Sequence, residues 1–510
     1  MNIARTGSAA KWPITISVML ATVMNSLDTT IANVALPHIQ GSVSASQDQI
    51  AWVLTSYIVA STIFTPITGW LAGRIGRKQL LIISIAGFTA ASALCGMSQS
   101  LVEIVGFRLL QGMFGASLIP LSQAVLLDVW PREQHGSAMA IWGMGAILGP
   151  IMGPALGGWL TDNLNWRWVF YINLPVGALA LAGVFMFITG KKQDNSRAFD
   201  FFGFGTLSVF VAAFQLMLDR GPTQDWINSK EIWTEAIVAL IAFWLFIVHS
   251  ATAKNPFFER ALLRDRSFMV STFMGLFVGL LLYSSMALLP TMLETLMGYP
   301  VVTTGLVTMP RGLGALAAMI IVGRINTKVD ARIIVLAGLV FCTIAAFQMS
   351  HFSLLMDSRL VIVSGVLQGL GTGLIFVPLA ALAFSTLNPA FRNEGSALFT
   401  LVRNMGGSAG ISVIEALQTH GSEVAHADLA QHISPSNPVL QAYLPSQFSL
   451  GTTQGLVALN AEISRQSAMV AYVDDFKLLI FLSLAAMPLL LLLRAPEKKR
   501  SADSVEVIVD

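Results

Sequence analysis

The sequence predicts an all-α integral membrane protein of fourteen spanning helices with both termini in the cytoplasm, and three observations predict it. Hydrophobic residues fill 55% of the 510 positions and charged residues only 11%, with a mean hydropathy of +0.69. A water-soluble domain carries about a quarter charged residues. Apolar runs long enough to cross a hydrocarbon core of ~30 Å, at 1.5 Å rise per residue, recur along the whole chain. The basic residues are sorted: one set of alternate loops, with both termini, holds most of the 30 lysines and arginines, and the opposite side has only Arg167, Arg220, Lys230, Arg359, Arg465 and Lys477. The richer side faces the cytoplasm.

The runs lie near 14–36, 50–72, 79–98, 102–126, 137–160, 168–190, 201–218, 232–250, 268–290, 303–323, 333–350, 360–384, 396–417 and 476–493. The first contains Asp28 and no other charge. A carboxylate at that depth costs at least ~2.5 kcal/mol, so it persists only where a partner, water or a bundle interior compensates it. The fourth run carries Arg108 and Gln111, the tenth Arg311, and the thirteenth Arg403 and Asn404. Counted from the span midpoints, Asp28 lies ~4 Å and Arg108 ~9 Å to the outer side, a gap that a long arginine closes. Pairing favours the charged carboxylate and burial disfavours it, so a proton-carrying role requires the pair to exchange with water or substrate. The core then holds three arginines against one clear acid, with Glu415 and Glu294 nearer the outer rim. Surplus arginine suits a weak acid on an amphipathic molecule better than a cation. Asn25, Asn33, Gln111, Arg311, Arg403 and Asn404 are the candidate cavity residues.

Gly145, Gly149, Gly153 and Gly157 recur every four residues in the fifth run, with Gly158 beside them. They form a small-residue face that admits a neighbouring backbone closely, and Pro150 and Pro154 should bend the same stretch. Gly143 to Gly149 is no nucleotide fingerprint, because it lies inside a span and not at a strand-to-helix turn, and no Walker-type loop is present. The long polar stretch 418–475 falls on the outer side; His420, His426 and His432 recur every six residues, which puts no two on one helical face, so no metal site is expected. Cys95 and Cys342 each fall in an apolar run and read as small core residues. The formal net charge of +2 and the absence of a basic soluble segment exclude nucleic-acid binding.

An internal repeat sets the architecture. Leu110 to Gly115 in the fourth run is echoed by Leu367 to Gly371 in the twelfth, followed by Pro120 and Pro378; Arg132 to Ala138 is echoed by Arg392 to Ala397; Gly69 to Lys78 is echoed more weakly by Gly323 to Arg332. The offset is eight helices each time. Two six-helix bundles (1–190 and 267–493, the second including the outer loop 418–475) with two inserted linker helices (191–266) and a cytoplasmic tail (494–510) follow, a 6+2+6 plan that places a midplane site between the halves.

These motifs resemble the fourteen-helix drug:proton antiporters of the major facilitator superfamily, EmrB/QacA type. The resemblance rests on Leu27-Asp28-Thr29-Thr30 through Pro37, on Arg108 with Gln111-Gly112, and on Gly149-Pro150 through Gly157-Gly158. It rests also on Trp166 to Pro175, Arg403 to Ser408 and Ala471 to Phe476. It implies a non-enzymatic, proton-driven multidrug efflux protein of a bacterial inner membrane, with no cofactor. Asp28 and Arg108 would couple protons, and the helix-5 glycines and prolines would form the antiporter motif. It implies amphipathic small-molecule substrates, the bilayer as surroundings, and a periplasmic membrane-fusion adaptor with an outer-membrane channel as partners. A facilitative or proton-symport uptake carrier, or a transporter-fold sensor, is the alternative reading. The cytoplasmic loop motif Gly69, Arg74, Gly76, Arg77 and Lys78 departs from the family in one place: Gly73 stands where an acid is usual, which removes that acid from any cytoplasmic latch.

Overall fold

The computed structural model describes residues 8–493 except 132–133, 190–197, 326–328, 389–390 and most of 435–449. The expected tail from 494 and Arg132 of the repeat lie outside the described residues, as does the side chain of Pro150. Among the described residues, 13 helices are long and apolar enough to cross a membrane, and a bent pair brings the number to 14.

We number the spans α1 (Ser8–Val43), α2 (Trp52–Phe64 with Thr68–Ile75), α3 (Arg77–Met97), α4 (Leu101–Val129), α5 (His135–Asn163), α6 (Trp168–Phe187) and α7 (Phe201–Arg220). The rest are α8 (Lys230–Thr252), α9 (Arg266–Thr295), α10 (Val301–Ile325), α11 (Ala331–Met349), α12 (Ser358–Ser385), α13 (Arg392–Gln431) and α14 (Thr453–Leu492).

Two spans are broken for local reasons. The halves of α2 meet at 57°, with Pro66 in the break, where it can supply no hydrogen bond. In α4 the interruption at Ala116 and Ser117 precedes Pro120, and α2 supplies the missing partners. Thr65 Oγ1 donates to Ala116 O at 3.5 Å, and the Thr68 and Ser117 hydroxyls lie 2.9 Å apart. Freed backbone groups inside a bilayer must be satisfied in this way.

The packing repeats with the offset seen in the sequence. α1 packs on α5 and α6, α2 and α3 on α4, and α3 on α6; correspondingly α9 packs on α13 and α14, α10 and α11 on α12, and α11 on α14. α7 and α8 pack chiefly on each other. The outer end of α7 also reaches both halves: Thr55 Oγ1 of α2 donates to the Asp219 carboxylate, and Ser412 Oγ of α13 donates to Leu218 O.

On the cytoplasmic side the halves are joined. Arg392 of α13 donates to Leu127 O at 3.1 Å and to Asp128 at 3.0 Å, and Arg77 pairs with the same carboxylate. Ser396 Oγ donates to Gln123 Oε1 at 2.6 Å, and Ser137 Oγ to Gly323 O at 2.9 Å. Trp142 of α5 stacks on Phe376 of α12 with ring centroids 5.6 Å apart.

The stretch 418–475 is helical at both ends: α14 starts at Thr453, capped by the Thr452 side chain, where helical character is expected from Gln454, and α13 continues to Gln431, which is not expected. Residues 422–431 contain alanine, leucine, glutamate and glutamine and neither glycine nor proline, so helix propensity carries α13 past the membrane.

Candidate functional site: a buried charge node and two unneutralised arginines

Asp28 lies on the face of α1 that packs toward α4 and α6, and it is fully shielded from solvent. Arg108 Nη1 lies 2.6 Å from Asp28 Oδ2, while Gln111 Nε2 and Asn173 Nδ2 each donate to Oδ1 at 2.8 Å. Arg108 and Gln111 are one helical turn apart on α4, so both reach the same carboxylate. The guanidinium makes two further bonds: Nε donates to Val53 O at 3.1 Å and Nη1 to Gln111 Oε1 at 2.8 Å. Tyr57 lies under the guanidinium with its ring centroid 4.3 Å from Cζ. Asn173 is held in turn by the Ser92 hydroxyl at 2.9 Å. The carboxylate thus has three donors from the protein, one of them charged, and needs no water to satisfy it.

Of the candidate cavity residues, two belong to this interior. Gln111 is spent on Asp28 and Arg108, and Asn25 donates to Tyr57 Oη at 2.9 Å and Gly115 O at 3.3 Å. Both amides have protein partners in this conformation. Asn33, by contrast, is exposed on the outer half of α1, on one face with Thr29 and Pro37.

Among its described residues, the C-terminal half has no counterpart of Asp28 for its arginines. Arg311, half-buried, donates to Ser285 Oγ at 2.8 Å and Leu282 O at 3.3 Å. Arg403 is buried, its Nε has no partner, its Nη2 reaches Asn404 Oδ1 only at 3.4 Å, and its guanidinium lies 5.2 Å from the Phe376 ring. Among the described residues neither arginine forms an ion pair.

The small-residue face of α5 meets α1. A Cβ on Gly149 or Gly153 would collide with Ser26 or Thr30, and those hydroxyls donate to Ala146 O at 2.5 Å and Gly149 O at 3.1 Å. Gly145 faces Met19 and Val23, and Gly157 faces Ile31 and Val34. Gly158 is on a different side, facing Val302 of α10 in the other half, and Pro154 lies close to Gly305 there. In the cytoplasmic motif, Gly69 packs on Glu394 of α13; Gly76, at φ 87°, turns the chain between α2 and α3; and Arg74 lies over Trp70. Lys78 donates to Phe185 O at 2.9 Å.

The sequence reading did not assign Asn173, Tyr57 or Ser92 to the site. Asn173 had a signal, as a lone amide inside the sixth apolar run; Tyr57 and Ser92 are ordinary residues there, and only packing reveals them.

The model of the Major Facilitator Superfamily matches residues 18–411. The multidrug export protein EmrB of Haemophilus influenzae is 36% identical over 468 residues, 91% of this chain and 92% of that protein. The fatty acid resistance protein FarB of Neisseria gonorrhoeae is 34% identical, covering 96% of this chain and 97% of that one. EmrB of Escherichia coli is 35% identical over 86% of each chain. Among solved structures, the human organic anion transporter MFSD10 superposes with a TM-score of 0.58 at 14% identity, over 93% of this chain and 99% of that one. At that identity it shares the fold. With fourteen apolar spans, a repeated six-helix packing and relatives aligned along nearly its whole length, the chain belongs to the Major Facilitator Superfamily, as a multi-pass inner-membrane transporter of the EmrB-like multidrug export proteins.

Proposed function

We propose that this transporter exports amphipathic weak acids, fatty-acid-like compounds and uncouplers among them, in exchange for protons. The observation that carries the reading is the asymmetry of buried charge: Arg108 is neutralised by Asp28, whereas Arg311 and Arg403 have no acid among the described residues. An uncompensated guanidinium inside a membrane protein favours a carboxylate guest, which it meets with a planar fork. The Met and Phe content, 22 and 30 residues, supplies adaptable apolar walls. The names of the relatives, multidrug export and fatty acid resistance, agree with such substrates.

Asp28 and Arg108 are the coupling pair in this reading, and the proton gradient is the energy source with no cofactor. The chain divides into bundles 1–190 and 267–493 around the linker 191–266. On the outer side, the extensions of α13 and α14 touch through His426 and Asn460 at 3.1 Å, and Arg465 donates to Leu296 O at 3.3 Å. They offer a protruding surface to a periplasmic adaptor that passes substrate to an outer-membrane channel.

Proton movement in inverted vesicles, recorded on adding a fatty-acid-like carboxylate or a quaternary ammonium compound of similar size, tests the reading. The acid should drive proton flux in wild type. Arg403→Gln should raise its KM about tenfold, the worth of one lost charged hydrogen bond. Proton flux with the cation alone would reject the substrate class, and transport without proton movement would favour the facilitative carrier.

A further inference from the structure

A second acid is buried in the C-terminal half, away from the Asp28 node. Asp475 of α14 is only 3% exposed, and its Oδ2 has no hydrogen-bond partner. An ionised carboxylate with a bare oxygen in such surroundings carries a desolvation cost of several kcal/mol, which the neutral acid largely avoids. Its depth is marked by the next residue: Phe476 packs edge-on against Phe352, in the connection between α11 and α12 on the outer side, with centroids 5.8 Å apart. Asp475 thus sits just inside the outer boundary.

It is not isolated. Asp474, its neighbour on α14, is half turned to solvent and paired with Lys477 at 2.8 Å, so that acid is satisfied. One turn back, the buried Tyr472 lies beside Thr295 of α9 and within electrostatic reach of both Asp475 and Glu415. Glu415, exposed on the outer half of α13, is in turn within reach of Asp219 of α7. Asp219 accepts from Thr55 of α2, two residues from Val53, whose carbonyl holds Arg108. Exposed acids therefore stand at the outer mouth, and Tyr472 and Asp475 follow each other by one turn on the buried face of α14.

We propose that Asp475 is a second proton-binding site of the transporter, loaded from the outer side through Glu415 and Tyr472. The inference rests on the proton-coupled reading for its purpose, but not for its chemistry. The exposed carboxylates collect a proton, the Tyr472 hydroxyl relays it, and the bare oxygen of Asp475 takes it. Release requires a donor or water to reach that oxygen, which repacking of α14 against α13 permits.

Infrared difference spectroscopy of the full chain in lipid nanodiscs tests the site. A protonated-carboxyl C=O band should be present at neutral pH, vanish in Asp475→Asn and survive in Asp28→Asn. An unchanged band in Asp475→Asn would overturn the proposal. Should that variant fold poorly, a hydrophobic carbodiimide applied to wild type provides the second measurement. Mass spectrometry should find the label on Asp475 at neutral pH and not at alkaline pH, and no label at either pH would be decisive against it. In proteoliposomes, Asp475→Asn should lower the protons moved per substrate while leaving substrate counterflow intact. If proton flux is absent in wild type as well, the antiport reading fails while the infrared and labelling results still decide whether Asp475 binds a proton.

Discussion

Asp28 is shut away from water in this conformation with three protein donors on its two oxygens. Asp28→Asn should still insert and fold, because an amide of the same shape fills the space, but with lowered stability, since Arg108 loses its counter-charge, and it should give no proton-driven export; a drug-susceptibility panel in a pump-deleted host together with vesicle proton flux measures this. Arg108→Ala leaves the carboxylate facing two amides only and should destabilise the protein by about 3–5 kcal/mol, the usual cost of breaking a buried pair. Combining Asp28→Asn with Arg108→Gln should recover much of the folded yield without recovering transport. A double variant no more stable than Arg108→Ala would show that the two residues do not interact. Arg108→Lys should also fail, since a point charge cannot serve Asp28, Gln111 and the Val53 carbonyl at once.

At the scale of the helix, α5 has two faces with different duties. Its glycine face is locked to α1 within one half, where Ser26 and Thr30 bond to the α5 backbone. Gly149→Leu should therefore lower folded yield, measured by size-exclusion profile in detergent, more than it alters the rate of conformational exchange. The face that meets the other half carries Ile151, Pro154 and Gly158 against Gly312, Gly305 and Val302 of α10. A Cβ at Gly158 would meet Val302 at 3.8 Å, ordinary contact, so Gly158→Ala should leave yield and export near wild type. A folded, active Gly149→Leu protein would show that the α1–α5 contact is looser than the structure has it.

For the whole molecule, the cytoplasmic side is sealed by a charge cluster in which the Asp128 carboxylate takes Arg77 from its own half and Arg392 from the other. This arrangement uses Asp128 and needs no acid at Gly73. Arg392→Ala removes the cross-link and leaves Leu127 O without its donor, so the closed cytoplasmic side should lose population. Spin labels at Ser137 and Gly323, where the structure has a hydrogen bond of 2.9 Å, should report longer distances in that variant. An unaltered distance distribution would assign the seal to the Trp142–Phe376 stack instead.

Hydropathy and charge sorting determined the number of spans and their expected orientation, because each depends on local composition weighed against a bilayer and not on which helices meet; the motif echoes determined the repeat. Asp28 and Arg108 stood out for the same reason: a charge inside an apolar run is costly wherever it packs. What only the tertiary structure decided is each helix's rotation and neighbours. The glycine face of α5 was legible, but that it meets α1 and not the opposite half was not. Asn25 and Gln111 read as cavity residues, and only packing shows their bonds to Tyr57, Asp28 and Arg108. Asp474 and Asp475 stood together in one family-like motif, although one is paired at the surface and the other buried with a bare oxygen. Adjacent residues on a helix point about 100° apart. That rotation sends one carboxylate to water and the next into the bundle, and contacts from helices far away in sequence set it.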